Sequence, residues 1–208
     1  MGPPVMATNN YSYTPDDQYC YPGTKVLVNR FGIKDAQQLE TAERKLTYLR
    51  ITELMKQPPA GHFDLAHLRA IHLFIFQDIY RWAGKIRTGS FLQKGKTLFC
   101  LGQHIESFAS DIHRQLKAEN YLRGLEKNQF INRVAFYMGE INALHPFREG
   151  NGRTQRVYFH LLAKAASYNL DFDQVPHEEL LAADIAAFDQ DYTPLKEILE
   201  RSLSPVES

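Results

Sequence analysis

Apolar residues recur at three- and four-residue steps along most of this chain, and the places where that rhythm fails divide it into segments. From Asp35 to about Lys56, Leu39, Ala42, Leu46 and Leu49 keep helical spacing, and "QPPAGH" at 57–62 ends the segment. Asp64 then stands as the N-cap of a long helix running toward Gly84, with Leu65, Leu68, Ile71, Ile75, Ile79 and Trp82 as one apolar stripe. "KIRTGSFLQKGKTLFC", residues 85–100, switches to β-branched and aromatic positions around Gly89 and Gly95 and predicts a short hairpin or flap. Helical spacing returns over 102–119 and again from Lys127 to Leu144, where Phe130, Val134, Tyr137, Met138 and Ile141 share one side. "TQRVYFHLLAKAASYNL", Glu178–Ala187 and Pro194–Leu203 complete the helices. Residues 1–18 read as an irregular arm and 204–208 as a short tail, with one domain at 19–203 between them. The pattern predicts an all-α domain, a helical bundle carrying a small β-hairpin.

Composition narrows the class of function. The 208 residues are 44% hydrophobic and 23% charged, which supports a sizeable core, and the formal net charge of zero gives no expectation of direct nucleic-acid binding. No run approaches the roughly 18 to 20 apolar residues of a membrane span. The N-terminus "MGPPVMATNN" lacks the basic start and apolar stretch of a secretory signal, so a cytoplasmic protein is expected. Residues 1–5 read as a cloning remnant ahead of a natural start at Met6. Cys20 and Cys100 have no zinc-ligand spacing and read as two reduced thiols.

The chemistry concentrates in "LHPFREGNGRTQR", Leu144 to Arg156, which joins two helical patterns. The start of the second helix offers unpaired backbone N–H groups and a partial positive charge, a combination that attracts anions. Gly150 and Gly152 can adopt positive φ and bring bare backbone close to a ligand, and with Asn151 they can form a nest of donors around a phosphate. Arg153 and Arg156, three apart, can both reach the same anion with paired, coplanar donors. His145 has the properties of a general base. Glu149 is too little for an all-protein metal cage but enough for Mg²⁺ shared with substrate phosphates. Phe147 reads as a core anchor. The set fits phosphoryl-group chemistry, although no Walker A loop is present. His62, His67 and His72 are spaced by five and no HExxH occurs, which argues against a metal hydrolase; His67, His104 and His160 read as surface or partly buried structural residues.

That loop resembles the signature of the Fic family, HxFx(D/E)GNGRxxR, which His145, Phe147, Glu149, Gly150, Asn151, Gly152, Arg153 and Arg156 match at every specified position. "LRAIHLFIFQDIYRWAGKIR", Leu68–Arg87, looks like the family's long helix and the turn into its flap, and with "YPGTKVLVNRFGI" the resemblance extends over Tyr19–Leu203. It implies a Fic fold with a central helix–loop–helix motif, and transfer of AMP from ATP to a Ser, Thr or Tyr hydroxyl of a target protein. On this resemblance His145 would deprotonate the hydroxyl and Glu149 would hold Mg²⁺ on the α- and β-phosphates. Asn151, Gly150, Gly152 and Arg153 would cradle the phosphates and Arg156 would bind the γ-phosphate. The flap, about Thr88–Phe99, would position the target by strand addition, with Lys96, Thr97 and Phe99 as contact candidates. Arg148 falls at an unspecified position and is expected to be solvated.

Many Fic proteins also carry an inhibitory helix patterned as Ser or Thr, three residues, Glu, then Gly or Asn, whose glutamate pairs with the second motif arginine. Only Glu119-Asn120 and Glu149-Gly150 supply the last two residues here, and Gln115 and His145 occupy the first position. The resemblance therefore implies a toxin whose inhibitory helix sits on a separate small antitoxin, with a type II topoisomerase subunit (DNA gyrase or topoisomerase IV) as target. A secreted effector acting on host GTPases is the alternative. Transfer of UMP or phosphocholine, and a non-catalytic nucleotide-binding adaptor, also stay open; the adaptor would have no need of His145.

Overall fold

A computed structural model of the chain describes residues 11–12, 18–88, 92–94 and 97–206. The first long helix, α1, spans Ala36–Lys56, and the Asp35 carboxylate caps it by accepting from the Gln38 amide at 2.8 Å. Leu39, Thr47 and Leu54 are its buried residues, whereas Leu49 is 57% exposed and lies off the apolar face. The inward face of α1 thus carries polar side chains as well as apolar ones. Arg50 bridges from it to Asp78 with a two-point ion pair of 2.6 and 2.9 Å.

Helix α2 spans Leu65–Phe76, capped by Asp64, and stops well short of Gly84. The apolar stripe does continue, since Ile79 and Tyr80 are buried, but the backbone carrying them is a series of turns. The cause is capture of Gly84 by α2 itself. His72 Nδ1 accepts the Gly84 amide at 2.9 Å and Arg69 Nε donates to its carbonyl at 2.9 Å. Gly84 has a φ of +74°, which suits a chain folding back on the helix it has just left.

The flap follows. Strands β2 (Gln93–Lys94) and β3 (Thr97–Leu98) form the expected antiparallel hairpin, and a strand in the arm, β1 (Tyr11–Ser12), adds to the outer edge of β2. The arm is therefore not irregular throughout. Helix α3 (Ile105–Ala118) follows a short 3-10 turn, and α4 (Lys127–Leu144) has the bounds that its periodicity predicts. Phe130, Val134, Tyr137, Met138 and Ile141 of α4 are all buried. Helix α5 spans Asn151–Ala165, three residues earlier at its start than the apolar pattern suggests. Ser167 then takes a φ of 68° and the chain leaves the helix, so Tyr168–Leu170 is a strand, β4. Helices α6 (His177–Phe188) and α7 (Thr193–Ser202) lead to β5 (Leu203–Pro205), which pairs antiparallel with β4, Leu170 opposite Leu203.

Helix α4 is the centre of the packing, in contact with α3, α5, α6 and α7, while α2 lies against α1 and α5. Among the described residues no helix is long and apolar enough to cross a membrane. Cys20 and Cys100 are not bonded to each other.

His67, His72 and His113 are buried within this core rather than at its surface. His113 packs beside Tyr158 with ring centroids 6.3 Å apart, and burial pushes its pKa down to about 4. Unfolding frees this imidazole to bind a proton below its ordinary value near 6.5. Its contribution to stability is therefore present above pH 6.5 and is lost as the pH falls toward 4. His113→Phe is expected to make the unfolding free energy less acid-sensitive over that window, by about 1.4 kcal/mol per pH unit. Urea titrations at pH 7, 6 and 5 measure the slope, and equal slopes for the two proteins contradict the assignment.

Candidate active site

The last turn of α4, the loop after it and the first turn of α5 build the site. His145 closes α4 in a left-handed conformation (φ 42°, ψ 62°), its amide still bonded to the Ile141 carbonyl at 3.2 Å. That residue marks the point where the helix stops and the chain turns. Its ring stacks on Phe99 at 3.8 Å between centroids, and Phe99 in turn meets Phe188 of α6 edge-on. Phe99 is accordingly a buried support for His145 rather than a surface contact of the flap. Lys96 lies outside the described residues; the backbone of Thr97 is in β3, and its side chain is not described.

Asn151 holds the loop closed. Its side-chain oxygen accepts from the Phe147 amide at 2.9 Å and its nitrogen donates to the Phe147 carbonyl at 2.8 Å. These bonds commit the side-chain oxygen and one of the two Nδ2 hydrogens to the loop. Phe147 is the core anchor expected of it, 1% exposed and stacked on His72 at 3.9 Å. The other face of His72 meets Phe76 at 4.6 Å. With Nδ1 accepting from Gly84, His72 is the Nε2–H tautomer, and that proton is donated to the Glu149 carbonyl at 3.0 Å. Burial drives its pKa down to about 3, so it stays neutral.

Gly150 has a φ of +81°, and a Cβ built there would stand 2.2 Å from the Phe76 ring. Gly152 differs from the expectation: it lies in the first turn of α5 without positive φ, and its open side faces the Arg156 guanidinium. No side chain among the described residues caps α5, so its first-turn N–H groups keep their anion-binding capacity.

The charged residues divide in a way that their spacing does not reveal. Arg153 turns away from the loop toward α1. There its Nη2 lies 2.5 Å from Glu43 Oε1 and its Nη1 3.3 Å from Thr47 Oγ1, with the guanidinium 4.8 Å over the Phe76 ring. The same Nη2 is 3.5 Å from Glu149 Oε1. Tyr80 donates its hydroxyl to the other Glu43 oxygen. Glu149 accepts its own Gly150 amide at 2.9 Å. Burial, and after it the Glu43 charge, raise the Glu149 pKa against the opposing pull of Arg153. Arg156 makes no hydrogen bond among the described residues, and burial, and after it the Arg153 charge, lower its pKa against the opposing pull of Asp184. Arg148 is not solvated: it is 5% exposed and lies over the Tyr19 ring at 6.0 Å, with Nη2 3.6 Å from Cys20 Sγ.

Arg87 is a further participant that the sequence reading passed over. It is 4% exposed, donates from Nε to the His145 carbonyl at 2.8 Å, and donates from Nη2 to the Cys100 carbonyl. Its amide bonds the Pro146 carbonyl at 2.9 Å, and the Cys100 amide bonds the Ala143 carbonyl at 3.0 Å. Both ends of the flap are thereby fastened to the end of α4. A lone arginine before a hairpin carries no periodic signal, and only its position between two loops reveals its role.

With this geometry established, comparison with known proteins is informative. A model of the Fic/DOC family matches residues 62–163. Probable protein adenylyltransferase y4lH of Sinorhizobium fredii is 40% identical over 192 residues, covering 90% of this chain and 96% of that protein. The chain belongs to the Fic/DOC family. Among its adenylyltransferases, VbhT of Bartonella schoenbuchensis is 42% identical over 189 residues; the match takes in 91% of this chain and 39% of VbhT, so the chain spans well under half of that relative. The Fic fold is also that of BepC, a VirB-translocated effector of Bartonella tribocorum solved with bound AMPPNP, which superimposes with a TM-score of 0.87 at 28% identity over 94% of this chain and all of that one.

The Gly150 geometry has a measurable consequence for the Fic loop. Gly150→Ala places a side chain in left-handed backbone, at a cost of about 1–2 kcal/mol, and forces Phe76 aside as well. Urea unfolding is expected to register a loss greater than the backbone cost alone, and a variant as stable as the parent contradicts the close approach.

Proposed function

We propose that the chain transfers AMP from ATP to a hydroxyl side chain of a target protein, releasing pyrophosphate. The observation that carries this reading is Arg156. It is a half-buried guanidinium without a hydrogen-bonded partner among the described residues, and it sits one turn into a helix whose start no side chain caps. A cation without a hydrogen-bonded partner, beside orphan N–H donors, is suited to a polyphosphate.

In the proposed reaction the target hydroxyl loses its proton to His145 as its oxygen attacks the α-phosphorus. A new oxygen–phosphorus bond forms and the bond from the α-phosphorus to the bridging oxygen breaks. Phe99 stacking and the Arg87 bond to its carbonyl fix His145 for that role. The backbone at Gly150, Asn151 and Gly152 and the Arg156 side chain would take up the phosphates. Glu43, Glu149 and Arg153 together carry two carboxylates and one guanidinium, a formal charge of minus one. No group of three or more His, Cys, Asp or Glu among the described residues forms a cage, so this set fits a hydrated Mg²⁺ bound at Glu149 and shared with the nucleotide. Bound there, Mg²⁺ would supply neutralisation of phosphate charge. An extended target segment would pair with the flap through its main chain, as β1 pairs with β2, with Lys96 and Thr97 as contact candidates.

The acceptor divides two readings. The toxin half of a toxin–antitoxin pair acting on a type II topoisomerase subunit, DNA gyrase or topoisomerase IV, is supported by Gln115 and His145 standing where the inhibitory pattern has Ser or Thr, and by Arg156 making no hydrogen bond among the described residues. A secreted effector is favoured by the likeness to BepC. Mass spectrometry of a lysate incubated with ATP and the protein tests the activity and names the acceptor. One adenylyl group on a particular hydroxyl is expected, and His145→Ala is expected to reduce it by about a hundredfold or more while still binding ATP. Equal labelling by the variant removes His145 from the role of base.

A further inference from the structure

We propose that Glu43 is a positioning residue for the metal-binding carboxylate: by holding Arg153 on α1, it keeps Glu149 available to the divalent cation bound with the nucleotide. The inference rests on the nucleotide-site reading above and concerns a residue outside the motif, 110 positions from the arginine that it holds.

One guanidinium nitrogen of Arg153 faces two carboxylates, and the distances are unequal. It is 2.5 Å from Glu43 and 3.5 Å from Glu149. Both carboxylate side chains are only 14% exposed, so water screens neither contact well. The arrangement on the α1 side is built rather than incidental. Tyr80 donates to the second Glu43 oxygen, Thr47 accepts from the second arm of Arg153, and the Phe76 ring lies beneath the guanidinium. Arg153 is thereby satisfied from α1, and Glu149 spends one oxygen on the Gly150 amide while making only the longer contact to Arg153.

Two effects follow when the Glu43 charge is removed. The buried guanidinium is left with Glu149 as the carboxylate within reach, and a cation would have to displace it. The formal charge of the three-residue cluster also rises from minus one to zero, which lowers its attraction for any divalent ion. Both effects weaken the metal site, while the backbone donors of α5 and Arg156 are left untouched. Loss of a group that orients a metal ligand typically costs about ten- to a hundredfold in metal affinity.

The test uses Mn²⁺ as the metal, followed by electron paramagnetic resonance at saturating AMPPNP, with AMPPNP affinity in EDTA measured separately. Glu43→Gln, which keeps the side-chain shape, is expected to weaken Mn²⁺ binding by about ten- to a hundredfold and to leave the EDTA affinity unchanged. Glu43→Gln combined with Arg153→Gln removes the competing cation and restores minus one at Glu149, and it is expected to recover most of the Mn²⁺ affinity. A purely structural role predicts instead that the double variant is worse than the single one and that both lose AMPPNP affinity in EDTA. Undiminished Mn²⁺ binding by Glu43→Gln, or no recovery in the double variant, overturns the proposal. If the parent protein binds no Mn²⁺ with AMPPNP, the nucleotide-site reading itself falls.

Discussion

One uncharged imidazole decides the shape of the site. His72 joins the Gly84 amide to the Glu149 carbonyl, and the second of those bonds spans 77 residues of sequence. Neither bond survives in this form if the ring takes up a proton, because Nδ1 must accept and Nε2 must donate. Its burial between Phe76 and Phe147 secures the neutral state. From that bridge follow the fold-back after α2, the seat of Phe147 and the height at which Glu149 is presented.

The polar groups around it obey the rule that buried donors and acceptors find partners within the protein. Asn151 pairs with both backbone groups of Phe147, and Arg87 occupies two carbonyls at once. Against this background of satisfied groups, Arg156 and the uncapped start of α5 are conspicuous. A guanidinium without a hydrogen bond among the described residues, next to an uncapped helix start, is the part of the site suited to an anion.

Contiguity explains what could be read from the sequence. The motif from His145 to Arg156 is contiguous, so its residues could be grouped into one candidate site without any knowledge of the fold, and α4 kept the bounds that its apolar positions predict. The helix after Asp64 was overextended because Ile79 and Tyr80 are buried from turns, and burial alone does not distinguish a turn from a helix. Tyr168–Leu170 was assigned to a helix for a related reason: its strand partner lies 35 residues away, at Leu203–Pro205. Arg148, at an unspecified motif position, was expected in solvent, yet it lies over the Tyr19 ring. Glu43 stood in plain view on α1, but an inward-facing carboxylate interrupts an apolar stripe and only its partner, Arg153, gives it meaning. His72, Arg87 and Glu43 all act across long sequence separations, which is the part of a site that local pattern cannot supply.

Arg87 ties the carbonyl of His145 and the carbonyl of Cys100 to a single planar group. The hairpin and His145 therefore share one mechanical link, and their free energies are coupled in both directions. Whatever orders the flap narrows the range of orientations open to His145, and whatever fixes His145 stiffens the flap. On the proposed reading, recognition of a partner and readiness for proton transfer would be two ends of one lever.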